Sequence, residues 1–229
     1  MKKILLSSVS LFALLLAFTS CDKENASDVN QNKIYTDYEV FYDKNTDKTW
    51  AIARFRFGGP TGTLLELDST AYVLFNQDTL AYNGLFGGHF KEYAGRISTG
   101  SFTYKNLDGS IYVNSIPACD TIAFLPSFTT LQKSQAQTIT WGGSTLAANQ
   151  AVGVFVGSWT WGQDALVFQD ADGANNLVLG ITQMSNLALG SATVYMDRQT
   201  DVAVSHGTSE GGRIRSKYRA LNKVIQVIN

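Results

Sequence analysis

The chain has 229 residues, enough for one large or two small domains. Hydrophobic residues make up 45% of it, aromatics 12% and charged residues 16%; such a chain can bury a core, which excludes wholesale disorder. A net charge of -1 gives no global drive toward nucleic acid, two cysteines exclude a disulfide-built scaffold, and two histidines leave little for a histidine-based metal centre.

Lys2 and Lys3 precede an apolar run from Ile4 to Phe18, interrupted by Ser7, Ser8 and Ser10 and followed by Thr19, Ser20 and Cys21. A basic start, a short apolar stretch and small residues at its end have the form of an export signal. The stretch falls short of the ~20 residues that a membrane span needs. Phe18-Thr19-Ser20-Cys21 resembles the lipobox of bacterial lipoproteins, in the loose form found in Bacteroidetes-type bacteria, with Phe18 where Leu is commonest. The resemblance implies a signal peptide over residues 1–20 and a lipid on the Cys21 thiol. Loss of Lys2 and Lys3 then takes the net charge from -1 to -3. Cys119 is left without a partner, and Ile116-Pro117-Ala118-Cys119-Asp120 offers it neither a base nor a metal ligand, so it is expected to be an inert structural thiol.

Residues 21–34 are polar and aperiodic after the cysteine and predict a flexible tether with a reach of ~20 Å. Asp22-Lys23-Glu24 resembles the charged segments after the cysteine that send some lipoproteins of that group to the cell surface. An outer-membrane location follows as an expectation, with the surface and periplasmic faces both open.

From Tyr35 onward the dominant period is two. Thr49 to Phe57 places Arg54 and Arg56 on one face and Ala51, Ala53, Phe55 and Phe57 on the other. Phe102-Thr103-Tyr104 and Ile111-Tyr112-Val113 flank a turn at Asp108-Gly109 and predict a hairpin. Val152, Val154 and Val156 alternate with Gly153 and Phe155; Leu166-Val167-Phe168, Leu177-Val178-Leu179, Thr193 to Met196, Arg213 to Arg219 and Val224 to Ile228 follow. Turn clusters such as Gly58-Gly59-Pro60, Gly87-Gly88 and Gly211-Gly212 separate the runs. About fifteen strands and no helix are predicted, an all-β chain of sandwich or barrel type. The best break lies near Pro126, which divides the body into 35–125 and 126–229, each near the ~100 residues of an immunoglobulin-like sandwich. Ser185 to Tyr195 contains Leu187-Ala188-Leu189-Gly190 and resembles the corner that leads into the penultimate strands of Ig-like and fibronectin-like domains. Two tandem immunoglobulin-like sandwiches are the expectation, with one large jelly-roll as the alternative.

Several patterns could carry chemistry. Gly207-Thr208-Ser209-Glu210-Gly211 matches the G-x-S-x-G nucleophile elbow, but that motif needs a helix after the serine and an acid and histidine later in the chain. Arg213 to Arg219 alternates like a strand, and residues 212–229 hold no Asp, Glu or His. Asp43-Asn45-Asp47 has the start of a calcium-loop spacing, yet Lys48 stands where the glycine belongs and Arg54 where the closing acid belongs. No catalytic residue, metal or cofactor is expected.

Arg213, Arg215, Lys217 and Arg219 fall on one face of a strand as a row ~20 Å long. Such a row is accounted for by neighbouring carboxylates, with Asp197, Asp201 and Glu210 as the candidates, by a solvated edge strand guarded against aggregation, or by an anionic ligand. Trp159 and Trp161 share a side if their segment is extended, and could stack on sugar rings or cap a core. Asp68-Ser69-Thr70, Asp78-Thr79-Leu80 and Asp120-Thr121-Ile122 resemble the O-glycosylation acceptors of Bacteroidetes-type envelopes. Taken together, the lipobox and the strand pattern resemble the lipid-anchored, Ig-like envelope proteins of those bacteria. The resemblance implies a non-enzymatic binding module for a glycan or envelope partner, held at the membrane by its lipid and without nucleic-acid partners. The alternative is a structural accessory subunit of a surface assembly or fimbria.

Overall fold

The computed structural model describes residues 23–157 and 162–229. Cys21, Trp159 and Trp161 lie outside them. The first half contains β1 (Glu24–Asn25), two short 3-10 turns, β2 (Ile34–Asp43), β3 (Lys48–Phe57), β4 (Thr63–Glu66), β5 (Tyr72–Phe75), β6 (Asp78–Thr79), β7 (Ala81–Asn83), β8 (Gly88–Ala94), β9 (Ser101–Lys105) and β10 (Ile111–Ser115). The second half contains β11 (Ala123–Phe124), β12 (Thr130–Gln132), β13 (Gln137–Gly142), β14 (Gln150–Gly157), β15 (Asp164–Gln169) and β16 (Asn176–Leu179). A single helical turn, α1 (Ile181–Met184), precedes β17 (Gly190–Ala203), β18 (Gly212–Arg219) and β19 (Lys223–Ile228). The protein is all-β, as its period-two patterning predicts.

A central twelve-stranded sheet has the order β1-β4-β3-β2-β18-β17-β14-β15, with β8 and β7 continuing from β3, and β19 and β12 from β17. Two smaller sheets, β10-β9-β5-β6 and β11-β13-β16, cover its inner face and enclose two cores. In the first, Tyr38 stacks on Phe102 with ring centroids 4.7 Å apart, and Phe55 packs on Tyr104 at 4.6 Å. In the second, Val152, Val154, Val156, Val194 and Met196 meet Ile139, Trp141, Leu177 and Leu179. Each large side chain so buried contributes roughly 1.5–3 kcal/mol of transfer free energy.

The two cores are not separate bodies joined at residue 126. β18 runs parallel to β2 with Gly212 opposite Thr36 and Arg219 opposite Asp43, so a strand of the expected second sandwich completes the sheet of the first. Ile214 belongs to the first core and Tyr218, four residues on, to the second. β17 spans both as well: Val194 and Met196 sit in the second core while Val202 packs on the first. The seam begins at a glycine for a steric reason. A side chain at Gly212 would lie 2.4 Å from Thr36 O, which no L-residue could occupy without moving β2.

The segment from Lys23 to Ile34 is also not the free tether that its polarity predicts. β1 adds in parallel to β4, and Ser27 bonds Asp68 through both its N–H (3.0 Å) and its hydroxyl (2.6 Å). Ala26 is fully buried in the first core, and the buried Gln31 amide donates to Ala26 O at 2.6 Å and Val29 O at 3.1 Å. This docking uses backbone pairing, side-chain hydrogen bonds and the scattered apolar side chains of Ala26, Val29 and Ile34, none of which leaves a periodic signature.

Candidate binding site on the outer sheet face

Because side chains alternate along a strand, the residues opposite the core form the outer face of the central sheet. On β18 these are the four cations that the sequence singles out, and the fold supplies each with carboxylates. Arg213 makes a bidentate pair with Asp37 (3.0 and 2.8 Å). Arg215 reaches Asp37 at 3.3 Å, Glu39 at 3.5 Å and Asp201 at 3.6 Å. Lys217 lies 3.0 Å from Asp197, which Arg219 holds in a second bidentate pair (2.7 and 2.8 Å), with Asp43 at 4.0 Å from Arg219. Four cations thus face the five carboxylates of Asp37, Glu39, Asp43, Asp197 and Asp201. Glu210 takes no part in these pairs. The row is a charge lattice in which each of the four cations already has a carboxylate partner.

Burial pushes the Asp37 carboxyl up, but the hydrogen bonds and charge of Arg213, with the charges of Arg215 and Arg54, outweigh it and leave the group below the usual carboxylate range. Asp197 follows the same pattern: burial raises it, and Arg219 and Lys217 together bring it below its ordinary value.

Toward β15 the same face becomes concave. Strand register sets Arg219, Asp197, Gly153 and Phe168 side by side across β18, β17, β14 and β15. The adjoining rows bring Lys217, Gln199 and Ala151 together, and Tyr195, Phe155 and Leu166 together. Two small outward residues in succession on β14, Ala151 and Gly153, form a floor between taller neighbours, and the resulting trough holds about 250 Å³. Phe168 leans over Gly153, where an added Cβ would lie 2.7 Å from its ring. Even so, Phe168 is 67% exposed and Leu166 55%. Phe155 and Tyr195 close one end with centroids 5.9 Å apart, and the Arg219 guanidinium lies 5.6 Å from the Tyr195 ring.

Of the residues expected to bind ligand, the structure brings Lys217 and Arg219 to the trough and sets Arg213 and Arg215 at the far end of the lattice. Trp159 and Trp161 fall in the β14–β15 connection, outside the described residues. The trough itself escapes sequence reading, although one signal exists: Leu166 and Phe168 flank Val167, so β15 is apolar at both parities while sitting at a sheet edge.

The other patterns resolve into local structure. Ser209 donates to Asn32 O at 2.8 Å, Thr208 donates to Ile34 O at 2.6 Å, and the His206 ring lies against Ser205 and Val113 O. β18 follows the serine, with no helix between them. Asp43 accepts from the backbone N–H (2.8 Å) and side-chain amide (2.7 Å) of Asn45, and Asp47 accepts from Tyr42 OH at 2.8 Å, so this acidic triplet shapes the β2–β3 hairpin. Buried His89 accepts at Nε2 from Leu67 N (3.1 Å), which places its proton on Nδ1 beside Leu80 O. Among the described residues no group of three His, Cys, Asp or Glu side chains converges as a metal site would require, and no helix is long and apolar enough to cross a membrane.

Cys119 is half-buried, and its thiol faces Arg198 O at 3.5 Å. Burial pushes the thiol up, and the Thr200 hydroxyl with the Arg198 and Arg96 charges offsets this only in part. In the folded protein at pH 8, Cys119 should react with a disulfide reagent at least about tenfold more slowly than in denaturant. Equal rates in the two states would contradict an inert thiol.

No family model matches the chain, and no curated protein matches it either. A solved structure from work on host cell surface retention of a 1.5-MDa bacterial ice-binding adhesin aligns with 87% of this chain and 67% of that one, at 10% identity and a TM-score of 0.24. At that score a shared fold is not demonstrated.

Proposed function

We propose that the protein is a non-enzymatic envelope lipoprotein, anchored through Cys21 in the outer membrane, that binds a neutral glycan in the trough on its outer sheet face. The observation that carries this reading is the in-register row Arg219–Asp197–Gly153–Phe168, which sets an exposed ring beside a shallow floor and a line of fixed polar groups. A sugar has an apolar ring face and a rim of hydroxyls. Phe168 and Leu166 suit the first; Asp197, Gln199, Lys217 and Arg219 suit the second, since held donors and acceptors lose little entropy on binding. At about 250 Å³ the trough suits one or two rings of an extended chain better than an engulfed ligand. The neutralised lattice favours an uncharged partner.

The test is calorimetric titration of the mature protein with a panel of neutral and acidic oligosaccharides. A neutral member should bind, with an affinity that changes less than about twofold between low and high salt. Phe168→Ala should weaken it roughly tenfold or more while leaving stability within about 0.5 kcal/mol, because the side chain is solvent-facing. Binding that is steeply salt-dependent, or indifferent to Phe168, would sink the proposal.

A second reading rests on β15, whose only strand partner among the described residues is β14. An open edge flanked by exposed Leu166 and Phe168 suits addition of a strand from a partner subunit, as in a surface assembly or fimbria. Stoichiometric recovery of another protein with the crosslinked native chain, abolished by a proline at Val167, would favour it over glycan binding.

A further inference from the structure

The β7–β8 hairpin ends in Gly84-Leu85-Phe86-Gly87, and Leu85 is 95% exposed, the most exposed of the large apolar side chains described. The tip is held in shape. Leu85 N donates to Asn83 Oδ1 (2.9 Å), Phe86 O accepts from Arg54 Nε (3.1 Å), and the Phe86 ring stacks on Phe90 with centroids 4.3 Å apart. A fixed backbone therefore presents an apolar side chain that nothing among the described residues covers. Leu64 lies beside it, since a side chain at Gly87 would come within 3.2 Å of Leu64 Cδ1. Lys23, Arg54 and Arg56 rim this patch: Arg54 through its bond to Phe86, Arg56 opposite Leu64 on β3, and Lys23 with its ammonium 4.8 Å from the Tyr82 ring of β7 and paired to Glu66.

The same corner is where the chain enters the fold. Lys23 immediately precedes β1, and Glu24 lies opposite Leu65 on β4. Cys21 is two residues earlier in the sequence, and two residues of chain reach at most roughly 7 Å. With Lys23 to Ile34 docked, no long tether separates the two.

We propose that the tip, through Leu85 and Phe86, inserts into the interfacial layer of the same bilayer that holds the lipid on Cys21, fixing the orientation of the protein on the membrane. The proposal rests on the lipid-anchor reading above. Two acyl chains already suffice for retention, so the tip adds a second contact point and thereby an orientation, with the basic rim at headgroup level.

The experiment uses the full chain, expressed with its leader so that Cys21 can be processed, in a Cys119→Ser background. Leu85→Cys carries an environment-sensitive fluorophore, and Ser134→Cys, exposed on the β12–β13 turn of the second core, serves as the distant control. Protein reconstituted in phosphatidylethanolamine–phosphatidylglycerol vesicles is titrated with spin-labelled lipid, and the mass of the amino-terminal peptide is recorded. The expected result is a diacylated Cys21 peptide, blue-shifted emission at position 85, and quenching there at least about threefold stronger than at position 134. A lipidated protein with equal quenching at both positions overturns this inference and leaves the anchor standing. An unmodified Cys21 overturns both.

Discussion

Arg198→Met should destabilise the protein by about 3 kcal/mol, because it removes a fully buried guanidinium together with the hydrogen bonds it donates to Ser144, Thr145 and Gln150. Nη1 donates to Ser144 O and Nη2 to Thr145 O, each at 2.8 Å, and Nη2 also reaches the Gln150 side-chain oxygen. Asp120, 59% exposed and 3.6 Å away, is a weaker partner that screening by water devalues. The bonded carbonyls belong to the loop between β13 and β14, so one side chain ties that loop to β17. For a chain of this size the loss corresponds to a fall in Tm of roughly 6–12 °C. Arg198→Lys should be nearly as damaging, since an ammonium cannot reproduce two parallel donors at fixed spacing. Thermal unfolding followed by circular dichroism decides the matter. A shift under about 2 °C for either variant would mean that the loop satisfies itself by other means.

Asp37→Asn is expected to have an effect of similar size at neutral pH, about 3 kcal/mol, because the nearly buried Asp37 is the shared anion of Arg213 and Arg215. The pH dependence follows from the sign of the shift. The Asp37 and Asp197 carboxyls lie below their ordinary values in the folded protein. The unfolded chain therefore takes up protons first, and the stability that these groups contribute is fully present above about pH 4. It is lost as the pH falls through the lowered folded values. Wild-type Tm should therefore hold steady from pH 7 to near pH 4.5 and then drop, while the difference between wild type and Asp37→Asn narrows as acid protonates the wild-type group. A gap that stays constant down to pH 2.5 would show that Asp37 acts through packing and not through its charge.

Period two made most strands legible: β14 and β18 alternate buried with half-buried residues, and β3 does so except at Ile52, which is buried at the outward parity. The partners of the basic row were only half legible. Asp197 and Asp201 lie on the preceding strand and were foreseeable, whereas Asp37, Glu39 and Asp43 come from a parallel strand about 175 positions away that no local pattern announces. The trough is a product of register. Gly153 and Phe168 are unremarkable apart, and form a site only when β14 and β15 pair with those two residues opposite. Ile122 and Phe124 pack in the second core ahead of Pro126, and the length of β17, fourteen residues and so ~45 Å, lets one strand serve both cores.

The shared sheet also has a mechanical meaning. A pull applied between the amino-terminal segment and the trough must cross the seam between β2 and β18, where eight residue pairs run from Gly212–Thr36 to Arg219–Asp43. Force directed along those strands loads all eight rungs and the ion pairs above them together, instead of peeling them one at a time. Neither core can slide past the other without breaking that ladder, so the molecule should transmit tension as a single stiff plate and not as two beads on a string.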